Sequence, residues 1–169
     1  VIIERFGASH ETIKHFVSGE IHKIPDTSLR LRAEVWGETW AWFKTSPFVG
    51  FGYHHRSEPI KRSETLPKRV VDDFGHYHNS LIEMAMGFGL LGVSFLLGLF
   101  IWVFRAAYRS WRAGAMPADH FGFFLSFSIF WIIVNMFESY LIWSTGVFVM
   151  ALVWGTAYTY HLAAKLKIA

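Results

Sequence analysis

The chain has 169 residues, 53% of them hydrophobic and 18% aromatic, with eight Trp and seventeen Phe. A soluble domain of this length does not bury so much large apolar surface, so part of it must face lipid. The net charge of +3, with no basic stripe interleaved with aromatics, argues against nucleic acid, and the lack of cysteine excludes disulfides, thiolate metal centres and a cysteine nucleophile.

Charge is divided unevenly. Residues 1–80 hold eleven Lys/Arg, ten Asp/Glu and seven of the nine His; residues 81–169 hold five Lys/Arg and three Asp/Glu. A boundary near Ser80 therefore separates a water-exposed region, 1–80, from a lipid-exposed one, 81–169.

In chain order, the opening "VII" reads as the cut end of a preceding apolar segment, and the chain as a piece of a larger polytopic protein. The stretch 9–17, "SHETIKHFV", reads as a short helix capped by Ser9, with Ile13, Phe16 and Val17 on one side. From about 29 to 44 the pattern is stronger. Leu29, Ala33, Trp36, Trp40 and Phe43 recur at steps of three and four, which predicts an amphipathic helix. Its tryptophans suit the membrane interface, and Pro47 ends it. "GFGY" at Gly50–Tyr53 then makes a tight turn without the strand–turn–helix context of a nucleotide fingerprint.

Residues 54–69, "HHRSEPIKRSETLPKR", carry two prolines and a local excess of base, and read as a loop. Two readings of it stay open: a solvated loop near anionic headgroups, or a landing surface for a phosphate-bearing substrate. "DDFGHYHNS" then delivers Asp72, Asp73, His76, His78 and Asn79 to the mouth of the first apolar run. Those groups are either part of a site or interfacial residues wetted by headgroups.

Three uncharged runs follow, between Glu83 and Arg105, between Asp119 and Glu138, and from Ser139 to Ala164. Each approaches or exceeds the ~18–20 residues that cross a bilayer core as a helix, which predicts spans at about 81–104, 119–137 and 141–163. Gly87, Gly89, Gly92 and Gly98 read as small residues that let spans pack closely. Arg105, Arg109 and Arg112 after the first span, and Lys165 and Lys167 after the third, place both ends on the cytoplasmic side. The polar first half is then extracytoplasmic. The expected fold class is all-α and integral to the membrane.

Three motifs in order carry a resemblance: "RAEVW" at Arg32–Trp36, "SPFVGFGY" at Ser46–Tyr53, and "HNSLIEMAMGFGLLG" at His78–Gly92. Together they resemble the O-antigen ligase and O-antigen polymerase superfamily, with an Arg-x-x-x-Trp helix, a Pro-x-x-Gly-x-Gly turn and His-Asn opening a transmembrane helix. The resemblance covers about Leu29 to Arg105 in detail. It implies a multi-pass glycosyltransferase of the bacterial inner membrane with its site facing the periplasm. Such an enzyme moves glycan from an undecaprenyl-pyrophosphate carrier to lipid A–core (ligase) or to another carrier-linked repeat (polymerase). The partners it implies are the carrier-linked glycan, its acceptor and membrane lipids; no cofactor is expected, and nucleic acid is already argued against by the charge. It also implies a further functional arginine upstream, so that this segment alone is incomplete.

Transfer from a lipid pyrophosphate needs a base for the acceptor hydroxyl and a cation for the departing diphosphate. Histidine suits the first near neutral pH, and the planar fork of arginine suits the second. On the resemblance, His78 is the expected base and Arg32 the expected pyrophosphate ligand. Asn79, Tyr53 and Arg56 are expected to bind substrate, Asn79 having a helix cap as its alternative role. His54 and His76 stand behind them. Arg30 is the residue most easily confused with Arg32, and the four-residue step to Trp36 selects Arg32.

Three rival readings stand beside this one. A metal-dependent membrane enzyme would draw ligands from His54, His55, Asp72, Asp73, His76 and His78, without a diagnostic spacing. A haem-carrying or purely structural subunit would use His120 and His161. A transporter has little support, since Asn135 is among the few strongly polar side chains inside a span.

Overall fold

The computed structural model describes residues 14–15, 18, 28–73 and 75–166. The expected helix at 9–17 lies almost wholly outside them. Six helices carry the described chain: α1 (Ser28–Phe43), α2 (Glu58–Lys61), α3 (Lys68–Asp73), α4 (Ser80–Arg112), α5 (Ala118–Phe137) and α6 (Ser144–Leu166). Short 3₁₀ turns at Tyr53–His55 and Tyr140–Ile142 join them, and there is no strand among the described residues. The helices α4, α5 and α6 are each long and apolar enough to cross a membrane. The protein is thus an all-α membrane protein.

The polar region packs its own core against the start of α4. Val35 and Thr39 of α1 are buried, and around Val35 gather Ile60 of α2, Leu66, Val70 of α3, Tyr77 and Met86. The buried face of α1 thus takes in Ala33, Trp36 and Phe43 of the expected stripe and adds Val35 and Thr39 beside it, leaving Trp40 out. Trp40 is exposed and stacks on Phe43, with the Lys44 ammonium over its ring. The reason is that α1 is gripped from two directions, by α2 and by α4. The stretch 54–69 is likewise more ordered than a loop. Pro59 at the start of α2 supplies a preset φ, and Ile60 anchors that turn in the core.

Helix α4 is broken near its start. Gly89 has φ 63° and ψ −160°, which only glycine adopts without strain. The break frees carbonyls at Met86 and Gly87 and amides at Leu90 and Leu91. Loop 47–52 satisfies all four: Phe51 N and Gly52 N donate to Met86 O and Gly87 O at 2.7 and 2.9 Å. Leu90 N and Leu91 N donate to Pro47 O and Phe48 O at 2.8 and 3.1 Å. Irregular backbone is tolerated at a membrane helix when protein re-satisfies it in this way. A Cβ on Gly89 would lie 2.3 Å from the Phe48 carbonyl carbon, and one on Gly50 2.6 Å from Met86 O. Gly89 and Gly50 thus serve the docking of a loop on its helix, where the sequence pattern suggested the glycines of this span pack against neighbouring spans.

Helices α4, α5 and α6 close a second core around Val103, Ala107, Phe124, Trp131, Met150 and Trp154. Asn135, inside α5, accepts from Ser80 Oγ and donates to Trp131 O at 2.8 Å. The first of these bonds ties the C-terminal end of α5 to the first residue of α4. His120 pairs with the Tyr160 hydroxyl and His161 lies against the Tyr158 ring, so each of these histidines has a tyrosine neighbour.

Candidate active site

The spacing Arg32-x-x-x-Trp36 is one helical turn, which puts both side chains on the same side of α1. Trp36 Nε1 donates to Tyr77 O at 2.9 Å, the carbonyl just before His78. One turn earlier, Arg32 Nη2 reaches Glu138 Oε1 at 3.4 Å. Glu138 sits on the turn between α5 and α6, 106 residues away in sequence. Its second oxygen, Oε2, lies 3.2 Å from His78 Nδ1. One carboxylate therefore brings together the two residues singled out for base and diphosphate ligand. Arg30, by contrast, pairs with Glu34 on its own helix at 2.8 Å.

His78 has φ 50°, the left-handed region that a non-glycine residue rarely enters. The conformation costs on the order of 1–2 kcal/mol and persists only where neighbours over-determine it. Here they do. Trp36 holds the preceding carbonyl, and the Asn79 amide donates to Ser139 Oγ at 3.1 Å on the other side. Asn79 also caps α4, its Oδ1 accepting from the amides of Leu81 and Ile82 at 3.0 and 3.1 Å, while its Nδ2 donates to Met136 O. Both ends of the Asn79 side chain are engaged in fixing the entry to α4.

Below this rim lies a carboxylate of another kind. Glu83, in the first turn of α4, has a fully buried side chain. Arg56 Nε donates to its Oε2 at 2.7 Å, and Tyr77 N and Ser139 Oγ donate to its Oε1 at 2.6 and 3.2 Å. Arg56 also donates to Tyr53 O and lies over the Tyr53 ring at 4.5 Å. The Tyr77 hydroxyl donates to Arg56 O at 2.6 Å; burial and the adjacent Glu83 charge push its pKa well above the ordinary phenol range. Tyr53 contributes its ring to Arg56 and its hydroxyl to Ile142 O. Arg56 and Tyr53 thus belong to a tier that supports the rim.

His76 and His78 have ring centroids 4.1 Å apart, and His76 meets Trp143 edge-on. Burial, and then the neighbouring His78, lower the His76 pKa below its ordinary 6.5. His76, His78 and Glu138 each offer one atom within 4.8 Å of the others, a donor set that suits a borderline divalent cation. Arg32 on the same carboxylate sets a fixed positive charge against such an ion. His54, His55 and Asp72 of the metal reading are not in that set.

Glu83 and Glu138 were missed by the sequence reading, which used them only as the ends of apolar runs. A signal was available. A lone carboxylate at the mouth of a membrane helix needs a partner, and two of the three acids after Ser80 stand in that position. Beside the rim, Trp36, Trp40, Phe43, Leu81 and Met86 help line an apolar groove of about 410 Å³ between α1 and α4.

The rim can polarise an imidazole through Nδ1, hold an anion with a guanidinium, and receive an apolar chain alongside. No curated protein and no solved structure matches the chain. The family model described as O-antigen ligase matches residues 5–97, more than half of the chain and including Arg32, Tyr53, Arg56, His78 and Asn79. The chain belongs to the O-antigen ligase family of membrane enzymes.

Proposed function

We propose that this protein transfers glycan from an undecaprenyl-pyrophosphate carrier to lipid A–core, as the ligase of lipopolysaccharide assembly. The observation that carries the reading is the convergence of Arg32 and His78 on one carboxylate, Glu138. In this mechanism the acceptor hydroxyl attacks the anomeric carbon as His78 takes its proton. The bond from that carbon to the pyrophosphate oxygen breaks, and its electron pair leaves with undecaprenyl pyrophosphate. A single displacement inverts the anomeric configuration. Arg32 binds the diphosphate bidentately and stabilises the charge that develops there. The base contributes ~10²–10⁴-fold and the cation a comparable factor.

The groove between α1 and α4 gives the prenyl chain an apolar wall beside the rim. The reading places the rim on the periplasmic side of the inner membrane, with the C-terminus cytoplasmic, as the basic residues that follow α4 and α6 favour. Arg56 and Tyr53 shape the floor of the site, and Asn79 fixes the chain that presents His78. No metal takes part.

Deleting the full-length gene should leave bare core and accumulate carrier-linked polymer. The wild-type gene restores ligated polysaccharide, and a His78→Ala gene does not. Accumulation of single repeats would instead assign the polymerase reaction, which differs in its acceptor and needs the same base and cation. The His76–His78–Glu138 cluster supports a metal-dependent variant of the reading. Transfer that survives exhaustive chelation excludes that variant; transfer lost on chelation and restored by a divalent ion excludes the metal-independent one.

A further inference from the structure

We propose that Glu138 is a positioning residue that couples binding of the diphosphate carrier to activation of His78. The inference rests on the ligase reading of the site. Glu138 touches both functional side chains at once, Arg32 through Oε1 at 3.4 Å and His78 Nδ1 through Oε2 at 3.2 Å. Charge-assisted N–H···O bonds ordinarily close to ~2.7–2.9 Å, so the carboxylate holds both partners loosely. The same molecule shows the tight alternative, Arg56 on Glu83 at 2.7 Å with a fully buried carboxylate. Glu138 differs in its setting as well, with 41% of its side chain exposed.

A loose, wet ion pair is easily exchanged. A pyrophosphate presents more charge than a carboxylate and matches both arms of the guanidinium, so Arg32 moves from Glu138 to the carrier when the donor arrives. Glu138 is then left with His78 alone. A carboxylate on Nδ1 fixes the tautomer that carries its proton there and makes Nε2 the nitrogen that accepts the hydroxyl proton. It also stabilises the imidazolium that forms in the transition state. The base thus gains its full orienting partner only when a donor is in place. Glu138 lies beyond the residues matched by the family model, on the turn between α5 and α6. Those helices thereby contribute to the chemistry directly.

The test uses the full-length protein in proteoliposomes, with undecaprenyl pyrophosphate as the binding probe and carrier-linked glycan as donor. Glu138→Gln keeps the shape but ends the competition for Arg32. The expected result splits the kinetic constants: kcat falls at least tenfold, while undecaprenyl pyrophosphate binds about threefold or more tightly. In an Arg32→Ala background the same substitution should leave carrier affinity unchanged. Glu138→Asp, which keeps the charge, should recover part of kcat and lose the tightening. Two results overturn the proposal: kcat within twofold of wild type in Glu138→Gln, or carrier affinity that weakens along with kcat. If His78→Ala keeps its transfer activity, the ligase reading itself fails. If His78→Ala is inactive and Glu138→Gln is fully active, the coupling alone fails.

Discussion

Two carboxylates mark two regions of this site, and they are built in opposite ways. Around Glu83, at the floor, a fully buried side chain accepts from Arg56 at 2.7 Å, from a backbone amide and from a serine hydroxyl. Around Glu138, at the rim, a half-exposed side chain is shared between Arg32 and His78 at 3.4 and 3.2 Å. Tight, dry and saturated bonds hold a chain in place. Longer bonds, open to water, can be exchanged for bonds to a substrate. On the proposed function the floor supplies structure and the rim chemistry, although both use the same residue types.

Substitutions can break that contrast, and the largest effect belongs to the floor. Glu83→Ala leaves the part-buried Arg56 guanidinium without its carboxylate and orphans the buried Tyr77 amide. Losing the charged acceptor that serves both costs about 3 kcal/mol. A large fall in melting temperature in detergent is the expected outcome, against little change for Glu138→Gln. The docked loop comes next. Gly89→Ala forces a Cβ against the Phe48 backbone at a positive φ, and a loss of about 2 kcal/mol or more is expected from the same melting experiment. Gly98→Ala, with nothing within 4 Å of the added atom, should be close to neutral.

Smaller effects sharpen the contrast. Trp36→Phe keeps one aromatic ring and removes the bond to Tyr77 O, costing about 1 kcal/mol of stability or more. Transfer should fall by more than that loss of stability explains, because the bond fixes the carbonyl next to His78. The smallest effect is on acid stability. His76 is held below its ordinary 6.5 in the folded chain. Between that lowered value and 6.5 the unfolded chain binds more protons, so stability falls as pH drops through this window. His76→Gln should flatten that limb of a melting-temperature-against-pH profile.

What the sequence made legible was local. The three apolar runs and the helix at about 29–44 rest on spacing within a turn or two, and spacing is what a sequence displays; the Arg-x-x-x-Trp and His-Asn pairs were picked out by the family resemblance. The break at Gly89 was not legible, because a glycine in a span has the same appearance whether it packs a neighbour or receives a loop. The added burial of Val35 and Thr39 on α1 was hidden for a related reason: α2 and α4 both pack on this helix, and neither is visible from α1 itself. Glu138 was the costliest omission. Its partners lie 60 and 106 residues away, and only the packing of α5 and α6 against α4 brings them together.

The central claim is that His78, presented at the rim by a rigid floor, takes the acceptor's proton. Its most direct measurement is transfer by full-length His78→Ala in proteoliposomes at saturating donor, with carrier binding and melting temperature followed on the same sample. The expected result is a loss of transfer of at least about 100-fold, with carrier affinity and melting temperature near wild type. Transfer within a few-fold of wild type would contradict it.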